Sequence, residues 1–556
     1  MKGLLVTIII TFFFGCKTEK KEIAPPVLWT PYDETEALRA NEDHEVDRMR
    51  YRLIESKVLD KNEVFNPLYE EVSQMTAGDY RALKPLILEQ DIPTIQSHIV
   101  SGMLTYEKLV LFYLYRIYHY ELNNKTHLNT VITLNPSVVD EARKLDKLNE
   151  RTTAGQRHPI HGIPILLKDN IGASGMPTTA GAIALRDNNA SDAFIVRQLK
   201  SKGALILGKV NLSEWAYFLC EGCPVGYSAI GGQTLNPYGR MVFETGGSSS
   251  GSGTSVAVNY AAAAIGTETS GSILSPSSKN SVVGLKPTVG LLSRSGIVPI
   301  SSTLDTPGPM TKNVIDNAIV LSAMLGRDEA DEKSVVSTET FLDWNTQTVS
   351  LLGKHFGAFR NLMEENDRYR KTIEKMREAG AKVTVFDALE VPLQGFLSIL
   401  NIDMRNDLPL YLISQTDKNK VPIRSVADAA QFNAQDSTVR IPYGQAIFTG
   451  MLDDTTTVEG LARIKRRLKN NGRHFFDKAM DKYGLDAILS INNYHAGYAA
   501  VAEYPALTIP MAYTDAGEPV GLTFIGKPFT ENQLLQMAAA VEAMQKIRKL
   551  PSDFID

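Results

Sequence analysis

"ETGGSSSGSG" (244–253) and "GTETSGSILSPSS" (266–278) decide how this chain is read. Both crowd hydroxyls among glycines, carry almost no charge and offer no hydrophobic face. Gly, Ser and Thr favour turns, so a linker is the plain explanation. A linker, however, would not need what lies between them. "SVAVNYAAAAI" (255–265) is built from small residues, the composition of a helix packed tightly against its neighbours and holding both loops in fixed relation. The remaining explanation is a nucleophile held among backbone N–H donors.

Working upstream, "HGIPILLKDN" (161–170) puts Lys168 at the end of an apolar run. Such a lysine is either a surface residue that snorkels to water or a buried amine, and only burial would leave it neutral and able to act as a base. Short β-rich runs recur along the chain: "NTVITL" (129–134), "IPILLKD" (163–169), "ALILGKV" (204–210) and "VGLTFIG" (520–526). Helical patterns such as "AFIVRQLKSKG" (193–203) and "SSGSGTSVAVNYAAAAIG" (249–266) stand between them. This alternation is that of an α/β fold with a central sheet covered by helices. "GMLTYEKLVLFYLYRIYHYE" (102–121) reads as a helix whose aromatic stripe is core packing. Residues 33–90 read as an N-terminal helical segment, opening with a surface helix from Asp33 to about Asp60 on the spacing of Val46, Met49, Leu53 and Val58. From about 330 to 450 the chain is more polar and helical, as a peripheral lobe would be, and 546–556 is a tail. There is no internal repeat.

The 556 residues allow a sizeable core, and 43% hydrophobic with 22% charged residues is ordinary for a globular protein. A net charge of −5 gives no electrostatic reason to expect a nucleic-acid partner. The N-terminus departs from this picture. "MKGLLVTIIITFFFGC" (1–16) carries Lys2, an apolar run from Leu4 to Phe14 too short to span a bilayer, then Gly15 and Cys16. It resembles a bacterial lipoprotein signal, which implies lipidation at Cys16, export, and a membrane anchor in the cell envelope. Residues 17–32, polar and then Pro-rich, are expected to be the tether. The other two cysteines, Cys220 and Cys223, can pair in an exported protein; no second ligand pair stands by for a metal.

Two motifs compete for attention. "GALILGK" (203–209) has the spacing of a phosphate-binding loop, but Val210 stands where the Mg²⁺-holding hydroxyl belongs and the interior reads as a strand. "GSSSG" (247–251) fits the nucleophile elbow of an α/β-hydrolase-type esterase, with Ser249 as nucleophile and His355, His474 or His495 as downstream base.

The block from Gly246 to Ser301, "GGSSSGSGTSVAVNYAAAAIGTETSGSILSPSSKNSVVGLKPTVGLLSRSGIVPIS", resembles the signature of the amidase signature enzymes. "IHGIPILLKDNI", "TTAGAIAL", "LGKVNLSEW", "GGQTLNPY" and "YPALTIP" fall in the expected order around it, and the resemblance spans roughly residues 90–545, giving a catalytic domain over 91–545. It implies an amidase-signature fold with a mixed, twisted central sheet and a Ser-Ser-Lys triad: Ser272 as nucleophile, Ser248 as bridging serine after a cis peptide bond, and Lys168 as base. It implies no cofactor and no metal. Backbone amides of Thr269, Ser270, Gly271 and Ser272 are expected to hold the oxyanion. The family's usual Gly-Gly-Ser-Ile-Arg is here Ser270-Gly271-Ser272-Ile273-Leu274, and its usual Asp is Glu268. These departures, with "VPIRSVADAAQFN" (421–433) and "YGQA" (443–446), point to the branch of peptide amidases and related plant amidases rather than the tRNA-dependent amidotransferases. The expected substrate is a small amide or a peptide amide, taken by a monomer or homodimer. Segments 172–181 and 400–450 are expected to line the acyl pocket. A non-catalytic binding protein on this fold is the other class, and the three intact triad positions weigh against it.

Overall fold

The computed structural model describes residues 25–149, 157–336 and 349–556; the expected signal segment, Cys16 and the first half of the tether lie outside them. Among the described residues thirteen strands form: β1 (Val131–Leu134), β2 (Pro164–Lys168), β3 (Leu205–Val210), β4 (Tyr227–Ser228), β5 (Gly232–Gln233), β6 (Ala263–Glu268), β7 (Val283–Lys286), β8 (Thr306–Thr311), β9 (His355–Phe359), β10 (Lys382–Phe386), β11 (Ala487–Ile491), β12 (Ala506–Tyr513) and β13 (Pro519–Ile525). Eleven make one sheet in the order β1-β3-β2-β6-β8-β7-β12-β13-β11-β9-β10, while β4 and β5 pair as a separate ribbon. The sheet is mixed: β3, β2 and β6 run parallel, as do β11, β9 and β10, and antiparallel pairings join these groups. Every residue of β2, β3, β6, β7 and β8 is buried, so these strands are covered on both faces, which is why they read as continuous apolar runs rather than as alternation.

The four strands expected from the sequence are present as β1, β2, β3 and β13, and the aromatic segment is helical from Tyr106 to Glu121. The small-residue segment departs from expectation. Its helix stops at Ala257, and the alanine run continues as central strand β6. Alanine favours helix by only about 0.5 kcal/mol per residue over most others, and pairing with β2 on one side and β8 on the other outweighs that. The short helix Ser250–Ala257 lies close to the end of β3. A Cβ on Gly251 would stand 2.5 Å from the Asn211 carbonyl oxygen, so only glycine fits.

Three other stretches differ. The expected surface helix over 33–60 exists only as Thr35–Asn41, followed by a single turn at Asp47–Met49. Beyond it the backbone serves tertiary contacts: Ile54 and Glu55 amides donate to the Glu34 carboxylate, and Asn129 Nδ2 donates to the Ile54 carbonyl. The end of the expected tether is packed down. Trp29 is 5% exposed, its backbone bonds the Asn62 side chain, and Lys61 Nζ sits 4.0 Å from its ring centroid. Within the expected 330–450 lobe, residues 355–386 instead add β9 and β10 to the sheet edge. The helical lobe consists of Phe396–Gln415, Val426–Ala434, Ala446–Asp453 and Val458–Tyr483, and it encloses its own apolar core around Met404, Leu408, Phe448 and Leu468.

Candidate active site

Lys168 is the last residue of β2, flanked by β3 and β6, and is completely buried. Its Nζ stands 2.7 Å from Ser248 Oγ, 2.9 Å from Thr267 Oγ1 and 3.2 Å from the Thr267 carbonyl oxygen. Burial pushes this amine down to about 7 from its ordinary value near 10.5, against the opposing pull of the Asp305 and Glu268 carboxylates. A neutral amine has two N–H groups and one lone pair. With Thr267 accepting both N–H groups, the lone pair is left for the Ser248 hydroxyl proton. Asn170 Nδ2 donates to Thr267 Oγ1 at 3.0 Å and fixes that acceptor.

Ser248 precedes the helix Ser250–Ala257, and the Gly247–Ser248 peptide bond is cis. Its carbonyl accepts the Ser213 amide at 3.0 Å. Ser213 opens a turn in which three consecutive non-glycine residues, Trp215, Ala216 and Tyr217, adopt positive φ. Cys220 and Cys223, which follow, form a disulfide.

Ser272 occupies the turn between β6 and the short helix Leu274–Lys279. Its carbonyl accepts the Ser249 amide at 3.2 Å, which ties the two Gly/Ser segments together. The Ser272 side chain is half-buried, and among the described residues its hydroxyl has no protein partner. Ser249 is its opposite. Completely buried, its hydroxyl donates to the Thr267 carbonyl at 3.0 Å and accepts the Thr267 amide at 3.2 Å. Of the histidines of the esterase reading, His355 bonds Thr384, His495 bonds Ser490, and His474 is exposed on the helix Val458–Tyr483. The elbow geometry expected around Ser249 is therefore absent: that hydroxyl bonds β6.

The expected donor set for the oxyanion needs one correction. Gly271 N–H is taken by Glu268 Oε1 at 2.7 Å, so it is not available to a substrate. The amides of Thr269, Ser270 and Ser272 have no protein acceptor among the described residues. Gly271 is required for its conformation instead, with φ +90° and with Asn493 Nδ2 3.0 Å from where a Cβ would lie. Thr269 donates its hydroxyl to Asp305 Oδ1 at 2.5 Å.

A cleft of about 970 Å³ reaches Thr267 and Thr269 and runs between the 294–307 segment and the helices Phe396–Gln415 and Val458–Tyr483. Asp407, Leu410 and Tyr411 line it, no residue of 172–181 borders it, and Lys168, Ser248 and Ser272 are not among its lining residues. Lys209, from the phosphate-loop lookalike, is completely buried in β3 and paired with Asp169 at 2.9 Å. No anion could reach it.

Sequence reading missed Thr267, Asn170 and Asp305. Thr267 and Asn170 lie inside quoted motifs, but a strand residue and a turn residue there look like scaffolding until the parallel pairing of β2 with β6 brings Thr267 to the lysine and Asn170 to Thr267. Asp305, in "LDTPGP", sits 33 residues beyond Ser272 in the chain and meets the site only through the β6–β8 pairing.

A model of the amidase family matches residues 108–490. A probable amidase of Arabidopsis thaliana is 35% identical over 84% of this chain and 92% of its own length. Among solved structures, an amidase family protein from Bacillus anthracis superposes with a TM-score of 0.84 at 36% identity, covering 90% of this chain and 100% of its own. The native peptide amidase of Stenotrophomonas maltophilia does so with a TM-score of 0.77 at 36% identity, covering 84% and 99%.

Proposed function

This chain belongs to the amidase family and is an enzyme of amide C–N hydrolysis, and from that premise we propose that it releases ammonia from carboxamides, C-terminal peptide amides above all, through an acyl-Ser272 intermediate. Ser272 Oγ attacks the carbonyl carbon as its proton moves to Ser248 Oγ, whose own proton passes to the lone pair of Lys168 Nζ. The amides of Ser270 and Ser272 receive the oxyanion, where each such donor is worth on the order of 10²–10³ in turnover. Collapse breaks the C–N bond, and the amine leaves with the proton returned through Ser248. Water then attacks the ester by the same relay, giving the carboxylate and restoring Ser272.

The observation that carries this is the contact at 2.7 Å between Lys168 Nζ and Ser248 Oγ, both of them buried. A peptide-length substrate is supported by the size of the cleft, which exceeds what a small aliphatic amide would fill, and by the likeness to a peptide amidase. Ammonia release should be measured across peptide amides, small aliphatic and aryl amides, and esters. Peptide amides are expected to give the highest kcat/KM; a preference for small amides by tenfold or more, about 1.4 kcal/mol, would overturn the substrate assignment.

The enzyme is proposed to be exported and held at the cell envelope by a lipid on Cys16. The apolar run from Leu4 to Phe14 before Gly15-Cys16 supports this, as does the Cys220–Cys223 disulfide, since disulfides persist in oxidising compartments. Labelled palmitate is expected to enter the wild-type chain in bacterial cells and to be absent from Cys16→Ser. Equal labelling of both would refute the anchor.

A further inference from the structure

Glu268 ends β6 and is completely buried, yet among the described residues it has no arginine or lysine in hydrogen-bond contact. Its partners are backbone amides. Oε1 accepts Gly271 N–H at 2.7 Å, and Oε2 accepts Ile273 N–H at 2.7 Å and Leu274 N–H at 3.0 Å. A buried carboxylate is tolerable only where such bonds replace its hydration, and bonds to an ionised acceptor are the strong ones. These three amides bracket Ser272 on both sides. Resting on the assignment of Ser272 as nucleophile, we propose that Glu268 is the positioning residue of the nucleophile turn: it gathers the amides of Gly271, Ile273 and Leu274 inward and so leaves those of Ser270 and Ser272 directed at the substrate carbonyl.

The departures from the family pattern fit this role. Leu274, where the family usually has Arg, is 1% exposed and contributes an amide rather than a guanidinium. Glu268 is one methylene longer than the usual Asp, which lets one carboxylate span both flanks of the turn. The same charge acts on the base. Glu268 and Asp305 are the carboxylates that favour protonation of Lys168, and Lys286, buried on β7, is the other cation whose ionisation Glu268 supports. Glu268 thereby links loop geometry to proton affinity, and substitutions can separate the two.

Glu268→Gln keeps the shape but turns an NH₂ toward the amides and removes the charge. Its kcat is expected to fall by about 10²-fold with KM held within about threefold, as for the loss of an oxyanion donor. The acid limb of its kcat/KM profile should move to lower pH by about one unit, because a negative charge beside Lys168 has gone. Glu268→Asp keeps the charge and loses reach: kcat should fall by roughly tenfold or more with the limb in place, the effect of a misplacement near 1 Å. If Glu268→Gln does not fold, the Asp variant alone decides. Unchanged kcat in the folded variants, or a loss carried by KM, overturns the proposal. Fluorophosphonate labelling separates the two layers. Wild-type enzyme that labels at Ser272 while the Glu268 variants keep full turnover refutes this proposal alone, and wild-type turnover without labelling at Ser272 refutes the nucleophile assignment and this proposal together.

Discussion

Ser272→Ala is expected to abolish hydrolysis, by more than about 10³-fold in kcat/KM, and to abolish labelling by a fluorophosphonate, while leaving the denaturation midpoint almost where it is. The hydroxyl is half-buried and has no protein partner among the described residues, so its removal leaves nothing unsatisfied, and such substitutions usually change stability by less than about 0.5 kcal/mol. The contrast is Ser249→Ala. The same chemical change in the same Gly/Ser-rich site removes the hydroxyl that the buried Thr267 amide donates to, leaving the Thr267 carbonyl with Lys168 alone, and should cost about 1–3 kcal/mol. Urea denaturation with labelling on the same samples separates a nucleophile from a structural serine. Persistent labelling of Ser272→Ala at Ser249 would reverse the assignment.

Lys168→Met should lower kcat/KM by about 10²–10⁴-fold, the range of a general base, and erase the acid limb near pH 7. In the wild type, activity rises as pH passes through about 7, because only the neutral amine can take the Ser248 proton. Stability carries an independent signature. The folded-state pKa lies below the unfolded value, so between about 7 and about 10.5 the unfolded chain binds the proton that the folded chain does not, and wild-type stability rises with pH across that window. Methionine removes this dependence. Relative to wild type, the variant should be most favoured below pH about 7, and its advantage should shrink toward pH about 10. Equal pH slopes for the two proteins would mean that Lys168 is charged in the folded state, and the relay would fail with it.

Much of this site can be read without coordinates because the chemistry demands particular atoms. The resemblance to the family picks out Gly246-Gly247-Ser248, the Ser272 turn and Lys168 at a strand end, and β1, β2, β3 and β13 follow from apolar runs that only a sheet covered on both faces would bury. The distinction between Ser248 and Ser249 is also a matter of order in the motif. Local preference misleads where neighbours outvote it. Ala261–Ala264 would be helical in isolation and leads into strand β6, because the flanking strands β2 and β8 supply the backbone partners; residues 42–60 have the spacing of a helix but give their amides and carbonyls to Glu34 and Asn129.

What the chain alone determined was the fold class, read from composition and period, and the family, read from its motifs, whose resemblance assigns Lys168, Ser248 and Ser272 as the proposed reacting side chains. Only the tertiary structure decided their state. Lys168 can be neutral because β3 and β6 shut water out around it; the Gly271 amide is unavailable because Glu268 reaches it across the turn; and Asp305 acts on the site because β8 runs antiparallel beside β6. Proton affinity and donor availability belong to the surroundings of an atom, and those surroundings are assembled from residues far apart in the chain.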